Sequence, residues 1–384
     1  MSAVMVVALV DALGWTLAAR VPGFAPALPH RRRLDTVLGF SSGALPTIFT
    51  GRMPAEHGRW LMYRRAAGGA SPFRGFGATR LLPGRVRRGP RLARLLSRVV
   101  AARGVRGYFH LYEVPRERLP FFDLPERRDP FAPGGLPGGA LWETLESRGV
   151  TWRAWTWRTP EAEAVEALLA SVARGRERFL FLYTADLDAR LHREGSQGAG
   201  VRRALEGYAA LAGRAIEAGR RAGREVWFYL LSDHGMVDVT RTVDVAAALA
   251  ATGTRAPRDY EVFLDSTFAR FWWRAPAARR AVEAALAALP GGRWLDDAAL
   301  AREGCLFVDR AYGESVWLAD PGALIVPSFM GRAPLAAMHG YDPAHPDMAA
   351  GLWSNRPVPE AVRHLRDVRA HLEAELDALP AGAA

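Results

Sequence analysis

Val226-Trp227-Phe228-Tyr229-Leu230-Leu231-Ser232-Asp233-His234-Gly235 opens as an unbroken apolar run and closes on an acid and a histidine. Two other runs end similarly: Val4–Val10 meets Asp11, and Phe179–Tyr183 leads through Thr184 and Ala185 to Asp186 and Asp188. Continuous runs rich in Val, Leu and Phe are what strands buried on both faces of a parallel sheet look like. Such sheets bind ligands outside the carboxyl ends of their strands, which gathers these acids at one edge. Carboxylates crowded there repel one another unless a positive charge lies between them. Histidines accompany two of the three runs, and a metal ion is the economical counter-charge.

Working outward, the chain predicts an α/β fold: a mostly parallel central sheet flanked by helices. Leu141–Arg148, closed by Gly149, Glu161–Arg174, closed by Gly175, and Val201–Ala222 are helical by period. They alternate with strand-like runs, including Val150–Trp157, in the βαβ rhythm of a parallel sheet. Residues 59–139 differ in texture, rich in Arg, Gly, Pro and aromatics, and read as an insertion or cap over the site. Within it Leu92, Leu95, Leu96 and Val99 share one helical face, and Arg91, Arg94 and Arg98 another. Residues 240–330 read as a small α+β subdomain: a strand pair over Tyr260–Trp273, a helix over Ala277–Leu289 and further strands over Cys305–Val326. Pro359–Leu379 reads as an amphipathic closing helix, and residues 1–384 as one domain carrying both excursions.

The 384 residues are enough to bury a substantial core. The net charge of +11 comes from arginine alone, since the sequence has no lysine. With abundant Ala, Gly and Pro this points to coding bias more than to a nucleic-acid partner, and none is expected. Cys305 is the single cysteine, which excludes an internal disulfide framework and fits a reducing compartment. The run over residues 1–10 has no basic residue before it and is short, and cleavage after it would sever Asp11 from the sheet. It reads as the first core strand. No stretch approaches the ~18 apolar residues of a membrane helix, so the expectation is a cytoplasmic protein without a membrane span.

Asp188 and His192 are four apart, so at a helix start they face the same way and can share one ion. Asp233 and His234 are adjacent and would point to opposite faces of a regular strand, so they converge only past the strand end. Gly235 permits that irregular backbone. Asp11 and His339 complete six N/O ligands, enough for two three-ligand sites that keep positions open for substrate, as catalytic sites do. A lone Asp-x-x-x-His usually marks a surface turn, and Asp-His after a strand a helix cap with a core histidine. Their joint occurrence at strand ends favours metal. Asp186 stands at the wrong spacing, and His30, His57, His110, His345, His364 and His371 read as structural or solvated. Phe40-Ser41-Ser42-Gly43 supplies a nucleophile: a serine at a helix N-terminus sees the positive end of the dipole and nearby amide donors. Either serine could equally be an N-cap.

On these residues the chain resembles the alkaline phosphatase superfamily, within it the type I phosphodiesterase/nucleotide pyrophosphatase branch. The matching pieces are Asp11, Ser41 through Thr50-Gly51-Arg52-Met53-Pro54-Ala55-Glu56-His57-Gly58, Gly138-Gly139-Ala140-Leu141-Trp142, Asp188-Ala189-Arg190-Leu191-His192, Ser232-Asp233-His234-Gly235-Met236 and His339-Gly340-Tyr341-Asp342. They occur in family order across nearly the whole chain. The resemblance places the nucleophile ten positions before Gly51, on Ser41, where that branch usually has threonine. It implies one ion on Asp188, His192 and His339 and a second on Asp11, Asp233 and His234, zinc in the first instance, with Mn2+ or Fe as alternatives. It also implies an asparagine on the phosphoryl oxygen three positions after the nucleophile, where this chain has Ala44. That departure predicts substrates other than the usual nucleotides and an arginine donor from the insertion. Sulfatases share the nucleophile spacing but need Pro and Arg where Gly43 and Leu45 stand.

The expectation is therefore a two-metal phosphodiesterase/nucleotide pyrophosphatase-like hydrolase of small phosphate esters or anhydrides, acting through a phosphoserine on Ser41. Phosphomonoesterase or phosphonate hydrolase is the alternative on the same scaffold. A non-catalytic, arginine-rich anion-binding protein is the alternative from another class, and the six ligands count against it. With no lysine and no arginine before Arg52 in the nucleophile segment, diesters are expected over monoesters. Trp60, Tyr63, Phe73, Phe76, Tyr108 and Phe109 are the candidates to grip a leaving group.

Overall fold

A computed structural model describes residues 2–68, 71–87 and 89–380. Met1, at the head of the first apolar run, lies outside the described residues. Six strands form the central sheet: β1 (Ser2–Val10), β2 (His30–Leu34), β3 (Trp152–Trp155), β4 (Phe179–Thr184), β5 (Arg224–Leu231) and β6 (Ala350–Ser354). Their spatial order is β2-β6-β5-β1-β4-β3, and only β6 runs against its neighbours.

Period-2 geometry explains the unbroken apolar runs. Met5, Val7 and Leu9 of β1, with Phe179, Phe181 and Tyr183 of β4, face one core layer, covered by helices that include Leu141–Ser147 and Val368–Ala378. Val4, Val6, Ala8 and Val10, with Leu180 and Leu182, face the opposite layer under Glu161–Arg174 and Ala199–Arg221. Both faces are dry, so neither set of alternate positions can be polar.

Two sheet strands escape the sequence pattern. His30–Leu34 buries only Leu34 and reads locally as a basic loop, and Ala350–Ser354 is short and holds a glycine. His30–Leu34 forms because Ala350–Ser354 supplies its ladder, with Ala350 opposite Leu34 and Ser354 opposite His30, and Ala350–Ser354 is paired on its other side with β5, Leu352 opposite Leu231. The closing helix is also shorter than its period suggests, Val368–Ala378 after a single 3-10 turn. The preceding chain is held extended, because Asp35 N donates to Arg363 O and Leu365 N to Asp35 O.

Beyond β5, Tyr260–Leu264, Phe268–Trp273, Ser315–Ala319 and Gly292–Leu295 make an antiparallel sheet packed on helix Pro276–Ala287. Between residues 59 and 139 the chain forms its own small core around Tyr63, Phe73, Leu96, Val100 and Phe122, resting on Phe263 and Trp272 of that sheet. Leu95, expected on the buried face of its helix, is instead 55% exposed, because the buried arc centres on Leu96 and Val100.

Candidate active site

Register brings the site residues level. Leu9 pairs with both Tyr183 and Leu231, so β1, β4 and β5 finish at the same edge, and Asp11 N donates to Thr184 O at 2.9 Å. Past β1 the chain turns through Ala12, whose φ of 62° is left-handed and costly for a residue with a Cβ. That turn aims the Ala12 amide at Asp233 Oδ1, 3.3 Å away.

After β4 the chain enters helix α1 (Asp186–Glu194), which sets Asp188 and His192 one turn apart with Nε2 to Oδ2 at 3.3 Å. After β5 it turns so that Asp233 Oδ1 accepts the His234 amide at 3.0 Å and both side chains face inward. Gly235 is needed here for close approach and not for backbone freedom: a Cβ on it would stand 1.9 Å from Asp347 O. His339 lies just past the 240–330 excursion. Met338 pairs with Val237, Ala336 N donates to His192 O at 2.9 Å, and the His339 ring stacks on His234 with centroids 3.9 Å apart.

All six expected ligands therefore gather, in two clusters: Asp188, His192 and His339, and Asp11, Asp233 and His234, with ligand atoms within 4.8 Å of one another. His234 Nε2 lies 3.2 Å from Asp11 Oδ1 and 3.4 Å from Asp233 Oδ2, and His339 Nε2 lies 3.5 Å from Asp188 Oδ1. Donors about 2.0 Å from a tetrahedral ion stand about 3.3 Å apart, so the clusters have the dimensions of ion sites. Asp188 Oδ1 and Asp233 Oδ2 are buried without any hydrogen-bond donor. A carboxylate oxygen stripped of water and left so is costly, and a cation relieves that cost. Nitrogen and oxygen donors of this kind suit zinc, manganese and iron.

The electrostatics agree. Burial disfavours the charged form of Asp11, but His234 and Tyr183 outweigh it and hold the carboxyl below its ordinary range. Burial, then the charge of Asp11, pushes Asp233 up to about 7. Burial works against a charged His234, yet Asp233 and Asp11 push it up to about 10, while burial and the neighbouring histidines push His339 well down. The outer nitrogens are anchored: His192 Nδ1 lies 2.8 Å from Ala337 O and His234 Nδ1 2.9 Å from Gly235 O. These carbonyls fix Nδ1 as the donor and free Nε2 as the ligand, as in most metal-binding histidines.

Ser41 is the first residue of helix α2 (Ser41–Thr50), whose first turn no side chain caps. Its Oγ lies 3.0 Å from His234 Nε2 and 3.3 and 3.4 Å from the Asp11 oxygens. Ser42 instead donates to Trp60 O at 2.9 Å. Only one of the two hydroxyls is thus aimed at the clusters.

Several expectations fail. Ala44 belongs to the core beneath α2 and does not line the cavity. No arginine lines the cavity, among the described residues. Of the aromatics expected to grip a leaving group, Trp60, Tyr63, Phe73 and Phe76 are buried in core clusters and Phe109 packs against one; Tyr108 alone lines the cavity. Asp186 is exposed, outside both clusters. The matching Thr50-Gly51-Arg52 and Gly138-Gly139 pieces are structural: Arg52 donates to Pro137 O at 2.7 Å and occupies the space a Cβ on Gly138 would need.

Tyr183, Trp157, Phe131, Tyr112 and Met62 all border the roughly 500 Å³ cavity in front of the clusters and escaped the sequence reading. Tyr183 gives one local signal, a polar tip near the carboxyl end of an apolar strand. Its hydroxyl donates to Asp11 Oδ2 at 2.6 Å.

A serine at a helix start, two Asp/His clusters and a cavity at the carboxyl edge of this sheet are the setting of a hydrolase of phosphoric esters. The chain belongs to the type I phosphodiesterase/nucleotide pyrophosphatase family, whose profile matches residues 40–342. Members of the family depend on divalent metal ions. The fold is similar to that of murine ectonucleotide pyrophosphatase/phosphodiesterase 5, with a TM-score of 0.67 at 16% identity over 100% of this chain and 98% of that one. The human counterpart gives 0.65 at 15%, over 100% and 96%. An inactive variant of the murine protein in complex with AMP gives 0.66 at 15%, over 100% and 98%. No curated protein sequence gives a significant match.

Proposed function

We propose that the chain cleaves phosphodiesters through a phosphoserine on Ser41, with two divalent ions held by Asp188, His192 and His339 and by Asp11, Asp233 and His234. The observation that carries this is Ser41 Oγ, 3.0 Å from His234 Nε2 at the first turn of an uncapped helix. When bound, such a pair of ions clamps phosphoryl oxygens, acidifies the attacking hydroxyl and supplies hydroxide for the second step. Zinc is the first expectation, and Mn2+ or Fe would fit the same donors.

The chain's own residues provide the rest. The Asp11 oxygens, 3.3 and 3.4 Å from Ser41 Oγ, stand within reach of its proton as Oγ attacks phosphorus, while His234 Nε2 would be committed to the ion. The first-turn amides of α2 place partial positive charge beside the developing anion. In-line attack sends the leaving oxygen away from Ser41, toward a cavity walled by Tyr108, Tyr112, Phe131 and Trp157. Those walls suit an aromatic or apolar arm, and the AMP complex of the murine relative makes a nucleoside arm one candidate. With no arginine lining the cavity, among the described residues, and no lysine in the chain, a monoester dianion finds no side-chain cation for its second charge. Diesters are therefore the preferred class. The test compares kcat/KM for bis-(4-nitrophenyl) phosphate and 4-nitrophenyl phosphate on metal-loaded protein. A preference for the monoester overturns the diesterase reading in favour of a phosphatase.

A further inference from the structure

Residues 66–112 contain ten arginines and no aspartate or glutamate, whereas the other 337 residues hold 41 arginines against 40 acids. The net charge of the whole protein thus resides in one excursion. Coding bias can replace lysine with arginine, but it does not remove acids from one segment and leave them elsewhere. Arg80, Arg85, Arg91, Arg94 and Arg98 are exposed. Of the ten, Arg87 alone has an acidic partner among the described residues, Glu117 at 3.4 Å.

The same elements expose apolar side chains. Leu81 at the end of the 3-10 turn Phe76–Leu81, Leu82 after it, Val86 on the turn Gly84–Arg87 and Leu95 on helix Pro90–Ala102 are 80%, 37%, 48% and 55% exposed. With Tyr108, 44% exposed, they make five of the eight exposed large hydrophobics among the described residues. The helix docks on the protein through Leu96 and Val100, which leaves Leu95 and its neighbours Arg91 and Arg98 outside. Arginine interleaved with exposed Leu and Val is the composition of an interfacial segment, in which guanidinium groups meet anionic headgroups while aliphatic tips enter the acyl boundary. A surface for nucleic acid would instead interleave its arginines with aromatic stacking platforms. Among the described residues of the excursion the one exposed large aromatic is Tyr108, which packs edge-on against Trp157 at the cavity, off the helix that carries Arg91, Arg94 and Arg98.

We propose that the excursion over residues 66–112 docks the protein on an anionic lipid bilayer. No helix among the described residues is long and apolar enough to cross a membrane, and the attachment proposed here is peripheral. The excursion ends on Tyr108 and Tyr112 in the cavity wall, so docking would bring the cavity near the lipid surface.

The experiment is flotation of the full chain with vesicles of phosphatidylcholine alone or with about 30% phosphatidylserine. An arginine near an anionic surface contributes roughly fivefold in affinity. Arg91→Glu, Arg94→Glu and Arg98→Glu together should therefore cut binding to the anionic vesicles about a hundredfold or more, with hydrolysis of a soluble diester and the unfolding temperature unchanged. Leu81→Ser with Leu82→Ser should leave the charge intact and still weaken binding, most visibly at high salt. The proposal is overturned by absence of binding to the anionic vesicles at about 0.1 M salt, by equal binding to both vesicles, or by a triple variant that binds like the parent. It is also overturned if single-stranded RNA binds more tightly than the vesicles and the serine variants change neither.

Discussion

Replacing Tyr183 by Phe removes one oxygen, and the structure says what that oxygen does. Tyr183 is buried, and its hydroxyl donates to Asp11 Oδ2 at 2.6 Å, a length typical of a charge-assisted bond to an ionised carboxylate. Asp11 is buried as well, so water reaches the vacated position only from the cavity that both residues border. A hydrogen bond to a charged group contributes about 1.5–3 kcal/mol, and the surviving carboxylate has lost a donor that helps hold it ionised. At about 1.4 kcal/mol per tenfold, the expected loss is roughly 10- to 100-fold, the range found when the outer partners of metal ligands are removed. Because the loss acts through Asp11, it should appear as weaker metal binding, with turnover of bis-(4-nitrophenyl) phosphate substantially restored at saturating metal. Competition titration of zinc against a chromogenic chelator measures the first, and steady-state kinetics across metal concentrations the second. If metal affinity stays within about twofold of the parent while kcat falls, Tyr183 acts on substrate and not through Asp11, and the reasoning fails.

Four further outcomes are expected. Ser41→Ala should abolish turnover with metal content retained while Ser42→Ala keeps most of it, because Ser42 is engaged with Trp60 O; phosphopeptide mapping after an acid quench locates the hydroxyl that carries phosphate. Chelation should remove activity, and Asp233→Asn and His339→Ala should each reduce bound metal and turnover, read by elemental analysis and kinetics, with unaltered metal content in either variant counting against the ligand set. Gly235→Ala forces a Cβ to 1.9 Å from Asp347 O and should cost about 2 kcal/mol or more, seen as a lowered Tm together with weaker metal binding. Burial pushes Glu126 in the cavity wall from 4.5 up to about 7, so the folded state keeps a proton the unfolded chain releases, and stability falls as pH rises between those values. Glu126→Gln should therefore gain in Tm over the parent at pH 8 and lose that advantage near pH 4; an offset independent of pH contradicts the assignment.

The strands were legible locally because burial on both faces forces apolar residues at every position, a constraint that Val4–Val10, Phe179–Tyr183 and Val226–Leu231 each carry without reference to any partner. The clustering of the candidate ligands was legible because strand ends and a four-residue helical spacing fix side-chain direction: Asp11, Asp233 and His234 come just past their strands, and Asp188 and His192 share a helix face. What depended on distant pairing was not legible. His30–Leu34 is a strand because Ala350–Ser354 lies beside it, Ala350–Ser354 because it lies between His30–Leu34 and Arg224–Leu231, and nothing in Ala44 announces that its side chain points into the core. The family spacing to Gly51 pointed to Ser41 over Ser42, but the physical difference between the two hydroxyls needed the position of Trp60 O, and the role of Gly235 needed the approach of Asp347. The cavity wall was decided last and least locally, since Tyr108, Phe131, Trp157 and Met330 come from separate parts of the chain. Residue type and spacing thus determined which atoms could do the chemistry, because those follow from short-range backbone geometry. The tertiary structure decided what those atoms face, because packing contacts join segments that sequence order leaves far apart.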